Sequence, residues 1–559
     1  MIMLRDSGGY ASMWTRNILN IYYIDDHNTK RLTSSSIPHM HWVCSLLWLL
    51  HLSVGITATI LQKYDPVSIY PRSGYFSLTV NGESVPVTAF DGYAYAHFAF
   101  GDGPATLRVT STQKSTITSF VTSPQKYSYD QTGVVSGNVL SFTMNTPQYL
   151  IVRLSEVGEV IIAADPLEAN IPPTSGTGIF NVVSQFGADA SGGTVTTSAF
   201  TSAVNAAGAR GQGSIIYVPP GIFQVGNIIL PSGTSLYLAA GSSLRFTGNR
   251  TDYTKDWTKA SQGLDGTEWI RTAYGSSDVK IYGRGTIDAI GSYAQKTGKF
   301  IAHAVVPIGT TRFTFDGPII RDGGSWTLMP TRSSFVTIDH AKILNRMNLG
   351  ENDAIDVQES QNVVVKNSIG ISLDDSFSTK TWPASEGISV KYPGDPQALS
   401  NVTFTNNLAW THCYGFKVGQ GVWEEQRGVR FEGGTVYDAA VGLGVHHKWG
   451  SDTAAEIGFT DTVVEHLHGN NDGHQTWLAV FVQAGTAGVI GPIEGVSIWN
   501  ITVRTRGTTA ALARGVSGAL VSNVGLRNVW FADLGRAATS LAEMSITETN
   551  FSSEVSVKG

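Results

Sequence analysis

Through the second half of the chain one kind of segment keeps returning: a short apolar strand, a tight turn, and a second short strand. FVTIDHAKI, NVVVKNSIGI, NVTFTNNLAW, GVRFEGGTVY, IGFTDTVVEH, GVSIWNITVR and VGLRNVWFAD share this texture. Taking one inward position from each gives Ile338, Val365, Phe404, Phe431, Phe459, Ile498 and Leu526. The steps between them are about 27–28 residues, with two of about 39 that require inserted loops. A recurrence of this length, one strand–turn–strand unit per repeat, is the mark of a solenoid. No helical segment lies between the strands, which excludes a βα barrel. A β-propeller would need four strands per repeat and a longer period. The expected class is therefore all-β, a right-handed parallel β-helix over residues 177–559. Coils spaced about 4.8 Å apart would stack like residues into ladders.

The remaining chain reads differently. Residues 59–168 alternate short strands, with Asn81-Gly82 as a hairpin turn, and predict a small β-sandwich ahead of the solenoid. The stretch ANIPPTSGTG forms a linker between them. One helix is predicted, Thr197 to Ala207, stopped by Gly208 and capping the open N-terminal end of the solenoid. Residues 40–58, MHWVCSLLWLLHLSVGITA, have the form of a secretory signal peptide, with a membrane anchor as the rival reading. Residues 1–39 then read as a gene-model extension ahead of Met40. Secretion is the expectation, and N-x-S/T sequons at Asn249, Asn401, Asn500 and Asn550 suit a glycoprotein. Cys44 would leave with the leader, so Cys413 is expected to be a buried thiol without a disulfide partner.

Composition narrows the partners. Charged residues make up 15% of the chain, the net charge is −6, and the basic residues do not cluster. Nucleic acid, which needs a basic stripe, is excluded. No membrane partner is expected after leader cleavage, and the chain is expected to be a monomer.

Chemistry concentrates in ENDAIDVQESQNVVVKNSIGISLDDSFSTKTW. Asp353 and Asp375 lie one tight coil apart, which places them on neighbouring rungs, and Asp374 precedes Asp375 where the strand begins. Ile355, Phe377 and Phe416 would stack inside. Folding gains nothing from three crowded acids, so a function explains them better. Crowding raises at least one pKa, and an acid beside a base is what glycosidic cleavage requires. An isolated Asp-Asp turn is usually solvated surface. Joint spacing on a solenoid argues against that here, as do Tyr414, Lys417, His446, His447 and Lys448 at the same register on later coils.

These motifs resemble the polygalacturonase-like glycoside hydrolases of family 28, from about residue 177 onward. ENDAIDV resembles the family's N-T-D-G motif and SLDDSF its G-D-D-C motif. The resemblance implies that Asp374 is the general acid, that Asp353 and Asp375 activate water, and that the anomeric configuration inverts. Inversion predicts acid–base separations of about 6.5–9.5 Å. CYGFKVG stands where the family has G-H-G, with Tyr414 in place of the His. HHKWG stands where it has R-I-K, with His446 on the Arg and Lys448 on the Lys. Losing the bidentate Arg puts plain homogalacturonan in doubt, although Lys448 is one cation and His446 or His447 could add another at acidic pH. The expected substrate-binding residues are Tyr414, Lys417, His446, Lys448 and Trp382. Trp382 is the best aromatic candidate among Trp326, Trp382, Trp410, Trp423 and Trp449. No metal and no cofactor are expected.

The expected function is a secreted inverting hydrolase of an α-linked plant cell-wall or related polysaccharide. A neutral α-glucan hydrolase similar to the family 49 dextranases, which also join a β-sandwich to a β-helix, is the first alternative. A polysaccharide lyase and a non-catalytic glycan-binding protein are the others.

Overall fold

The computed structural model describes residues 59–383, 392–469, 473–483 and 490–558. The expected leader and extension lie outside the described residues. From residue 60 to 166 the chain forms two sheets. One runs in the order Ile60–Lys63, Tyr93–Gly101, Gly158–Pro166, Tyr149–Leu154, Phe120–Ser123, with Val87–Phe90 also paired to Tyr93–Gly101. The other runs Glu83–Val85, Phe76–Val80, Ala105–Ser111, Val139–Met144, Val134–Ser136. Alternating residues of both sheets, such as Leu78, Leu107, Phe142, Phe98 and Val152, share one apolar core. Val80 faces Glu83 across Asn81 (φ 50°) and Gly82 (φ 84°), a two-residue hairpin whose positive φ angles suit Asn and Gly.

Beyond the linker the chain winds as a parallel β-helix. Two of its faces merge into one ladder of 24 strands that begins at Ile179–Asn181 and ends at Ser552–Val557. All seven inward positions read from the sequence are consecutive Cα partners: Ile338–Val365–Phe404–Phe431–Phe459–Ile498–Leu526. Each is essentially excluded from solvent. The aromatic part of the ladder stacks, with ring centroids 4.7 Å apart for Phe404 and Phe431 and 5.2 Å for Phe431 and Phe459. Extending the register upward adds Phe315, Ile281, Leu236 and Ile216.

The third face consists of Ile355–Gln358, Phe377–Thr381, Tyr414–Val422, Val441–Trp449, Thr476–Val482, Ala511–Arg514 and Ile546–Glu548. Through Leu328 it continues back to Phe300–Val306 and Leu264–Thr272. Ile355, Phe377 and Phe416 stack inside, as their spacing predicts. The first long step accommodates an insertion after Phe377–Thr381; the second lengthens the turns around Thr476–Val482.

The helix runs Thr197–Arg210, three residues past its predicted end at Ala207. Gly208 lies inside it: a Cβ there would come within 2.8 Å of Pro231, so its role is close packing against the coil rather than termination. Gly211, at φ 82°, ends the helix. Ala199, Phe200, Ala203, Val204 and Ala207 enter the solenoid core, closing its first coil. A further helical turn at residues 291–298 was not read from the sequence.

The sandwich is packed along the second face of the solenoid. Tyr93, Tyr95, Tyr149, Ile151 and Ile161 meet Ile319, Leu344, Ile369, Ile371, Leu408, Trp410 and Tyr437. Trp410, one of the five tryptophans considered for sugar contact, is consumed here, 5.6 Å from Tyr93. At the centre of this interface Asp165 is fully buried. It accepts from Lys342 Nζ at 2.7 Å and faces His97 Nε2 at 2.7 Å and Arg284 Nε at 3.0 Å.

Candidate active site

In a parallel β-helix each side chain has a counterpart one coil above and one below. The pairings Ile270–Val305, Val305–Leu328, Leu328–Ile355, Ile355–Phe377 and Phe377–Phe416 fix the third face. Two residues before each of these positions stand Glu268, His303, Trp326, Asp353, Asp375 and Tyr414. They form one column on successive coils, with Asp353 and Asp375 adjacent in it. Backbone bonds from Ala354 N to Asp375 O (2.9 Å) and Ser376 N to Tyr414 O (3.0 Å) hold those coils in register.

Asp353 and Asp375 are almost fully buried, whereas Asp374 at the turn retains partial exposure. Asp374 Oδ1 accepts from Asp375 N at 3.0 Å, and its Oδ2 accepts from Glu351 N at 3.3 Å. Its main-chain oxygen accepts from Ser372 Oγ and Thr411 Oγ1, so the turn itself is pinned. The Cys413 sulfur is close as well: ligand atoms of Asp374, Asp375 and Cys413 lie within 4.8 Å of one another. Cys413 is half-buried rather than buried, and it is the one free cysteine among the described residues.

Two lysines that point outward from the same face enter this group. Lys417 Nζ donates to Asp375 Oδ2 at 2.8 Å and lies 4.4 Å from the centroid of the Tyr414 ring. Lys380 Nζ donates to Asp353 Oδ2 and, at 2.8 Å, to Asp356 Oδ1, over the Trp326 ring at 4.3 Å. Lys380 and Asp356 were missed in the sequence. Their signal was available: alternation from inward Ile355 and Phe377 sends Asp356, Ser378 and Lys380 to the outer face.

The three central carboxyls do not share one environment. Burial, then the Asp375 and Glu351 charges, raise the Asp374 pKa. Burial also lifts Asp353 well above the usual carboxylate range; Lys380 opposes this, and Asp356, Asp374 and Asp375 reinforce it. Asp375 goes the other way. Burial works against ionisation, but Lys417 and Lys380 overcome it and hold the pKa low. Four carboxyls therefore meet two ammonium groups, leaving protons on the group at neutral pH. Asp353 Oδ1, Asp356 Oδ2 and Asp375 Oδ1 are buried without a hydrogen-bond partner among the described residues.

The flanking candidates fall as follows. His446 shares the outer face with Lys417, stacked on Phe481 at 4.3 Å with Nε2 2.8 Å from Gln483 Oε1. Burial, then Lys417, push its pKa down to about 3. His447 is fully buried, and burial lowers its pKa too. The expectation that either imidazole adds a cation at mildly acidic pH fails on this desolvation. Lys448 is half-buried, 5.3 Å from the Trp449 ring. Trp382, also half-buried, is stacked on Trp326 at 6.3 Å.

No protein-family model matches the chain, and no curated protein matches it. Among solved structures, it is similar to a family 28 exopolygalacturonase from Yersinia enterocolitica. The two are 16% identical with a TM-score of 0.54, over 81% of this chain and 96% of that one. An exopolygalacturonase from Thermotoga maritima (15% identity, TM-score 0.48) matches over 65% of this chain and 88% of its own. A polygalacturonase from Erwinia carotovora (16%, TM-score 0.48) matches over 71% and 100%. At these identities the likeness is one of fold.

Proposed function

We propose that this chain, which has the polygalacturonase-like β-helix fold, is a secreted glycoside hydrolase that cleaves α-linked bonds of a polysaccharide with inversion. The observation that carries the reading is the split environment of adjacent carboxyls. Asp374 is pushed toward the protonated form and reaches solvent, while Asp375 is pinned as a carboxylate by Lys417. That is an acid ready to protonate a leaving oxygen beside a group ready to take a proton from water. Asp374 is assigned as the acid, and Asp375 with Asp353 as the base pair. One carboxyl oxygen of Asp374 and one of Asp375 lie within 4.8 Å of each other, and Asp375, the ionised member, is assigned as the group that takes the proton from water. Exposed side chains at all four sequon asparagines support a glycosylated, extracellular protein.

The test is time-resolved proton NMR on galacturonan, rhamnogalacturonan, dextran and pullulan. The first product is expected as the β-anomer, and Asp374→Asn should slow its release about 10²–10⁴-fold. An α-anomer as first product refutes inversion. An unsaturated product absorbing in the near ultraviolet would indicate a lyase instead.

A second reading, of a neutral glycan rather than a uronan, draws support from the cations. Lys380 and Lys417 are committed to aspartates, and His446 stays uncharged down to about pH 3. Lys448 alone among these candidates remains to meet a sugar carboxylate.

A further inference from the structure

The column that holds Asp353 and Asp375 does not stop at them. Two and three coils from Asp353 toward the N-terminal end, about 10 and 14 Å away by coil spacing, it carries His303 and Glu268, which are register partners. Here the outer face carries a separate cavity of about 140 Å³, lined by Asp256, Trp257, Glu268, Arg271, Tyr274 and Tyr392. Nothing in the proposed reaction uses these groups.

The cavity wall is built at some expense. Glu268 is 2% exposed and Trp257 is 3% exposed. Tyr392 donates to Glu268 Oε1 at 3.2 Å, and Asp256 Oδ2 accepts from Glu268 N at 2.9 Å. Trp257 Nε1, however, is buried with no hydrogen-bond partner among the described residues, and Glu268 Oε2 accepts no hydrogen bond there, its nearest charged neighbour being His303 Nδ1 at 3.4 Å. Leaving such atoms unpaired is unfavourable, more so for a charged group. Trp257 is held flat against His303, ring centroids 4.2 Å apart, and His303 lies 5.7 Å from Trp326. This arrangement depends on Gly266, where any Cβ would come within 2.4 Å of the Trp257 ring. Tyr392 is fixed from behind. Arg332, paired with Glu359 at 2.6 Å, donates to the carbonyls of Tyr392, Pro393 and Gly394 at 3.3, 3.1 and 2.7 Å.

We infer that this cavity is a second binding site, a subsite for an uncharged sugar residue of the polymer whose scissile bond lies at Asp353–Asp375. The inference rests on the hydrolase reading for its place along the chain, not for its chemistry. A sugar hydroxyl both donates and accepts, which is what an unpaired carboxylate oxygen and an unpaired indole N–H require. Tyr274, exposed at the edge, offers an aromatic face. Two carboxylates, Glu268 and Asp256, against one guanidinium, Arg271, repel a uronate here.

The experiment is calorimetric titration of the full chain carrying Asp374→Asn, with hexasaccharides prepared from dextran, from pullulan and from galacturonan. A neutral hexasaccharide is expected to bind. Glu268→Gln should weaken it about tenfold, and Trp257→Phe, which removes the N–H donor together with part of the ring stacked on His303, should weaken it by a smaller factor. Disaccharides should lose less than hexasaccharides, because they need not reach the cavity. Unchanged hexasaccharide affinity in both variants, with native circular dichroism, overturns the subsite. So does binding of the galacturonan series alone, or of no series at all. Wild-type cleavage by the Asp374→Asn protein would sink the catalytic assignment and leave the Glu268 comparison standing.

Discussion

The chain buries two clusters of charge, and they are built on opposite accounts. At the sandwich–solenoid interface one carboxylate, Asp165, meets Lys342, Arg284 and His97. Cations outnumber the acid. Although burial pushes it up, Asp165 is held far below the usual carboxylate range by Lys342 and Arg284. Burial lowers His97 to about 4, so it stays neutral and contributes a hydrogen bond. In the candidate active site the ratio is reversed: Asp353, Asp356, Asp374 and Asp375 face Lys380 and Lys417. Two acids are pushed up and three carboxylate oxygens are unpartnered. The first arrangement satisfies its charges and fastens two layers together. The second leaves charge uncompensated and a proton in reserve. Only the second is a poor way to stabilise a fold, and so only the second calls for a function.

Removing one group from each cluster separates the two accounts. Asp374→Asn removes an acid from the overcrowded site. Activity on whichever polymer is cleaved should fall about 10²–10⁴-fold, measured as new reducing ends. The melting temperature should hold or rise, because a buried carboxyl that the neighbouring acids make costly to ionise is replaced by a neutral amide. Lys342→Met does the reverse. It leaves Asp165 under-compensated in a fully buried interface, at a cost of roughly 3 kcal/mol and a melting temperature lowered by about 3 °C. Activity per folded molecule should remain that of the wild type. A drop in stability from Asp374→Asn equal to that from Lys342→Met would erase the distinction between the clusters.

The pH profile sharpens it further. Activity needs Asp374 protonated and Asp375 ionised. The alkaline limb of kcat/KM then lies above the usual carboxylate range and the acid limb below it. Lys417→Met withdraws the cation that holds Asp375 down, so the acid limb should move up by about one pH unit or more. His446 contributes nothing to either limb near neutrality, since burial keeps it uncharged there. An acid limb indifferent to Lys417 would mean that Asp375 is not the titrating base.

What could be read in the sequence was whatever the solenoid repeats. Ile338 to Leu526 form a ladder because a period of strand and turn dictates which side chain faces in. Asp353 and Asp375 could be stacked in advance for the same reason. Lys380 and Asp356 obey that alternation too, but they fall on neither the N-T-D-G nor the G-D-D-C positions that mark the site in the sequence. Glu268 and His303 were out of reach. Their coils contain irregular insertions, and Leu328 joins them to the active-site face through single bridges rather than through a strand. The two helical residues beyond Gly208 were hidden as well, since only the packing against Pro231 shows that this glycine is a contact and not a stop.

The smallest effect concerns a third buried carboxyl, which tests whether interface and active site differ by location or by compensation. Glu465 lies where the sandwich meets the solenoid, accepting from Gln125 N at 2.6 Å. Unlike Asp165 it pairs with no buried cation among the described residues, and burial, opposed by the Gln125 and Ser123 hydrogen bonds and the exposed Arg504, lifts its pKa to about 7. The unfolded chain releases this proton near pH 4.5, the folded chain near 7. Between those values the unfolded state binds fewer protons, so stability falls as pH rises and levels off above about 7. Glu465→Gln abolishes that fall. Its melting temperature should match the wild type at pH 4 and exceed it by a few degrees at pH 8, with activity unaltered. The gain should vanish in Glu465→Asp, which keeps the titration. If Glu465→Gln instead melts lower at both pH values, the carboxyl is compensated as Asp165 is, and location rather than charge balance distinguishes the clusters.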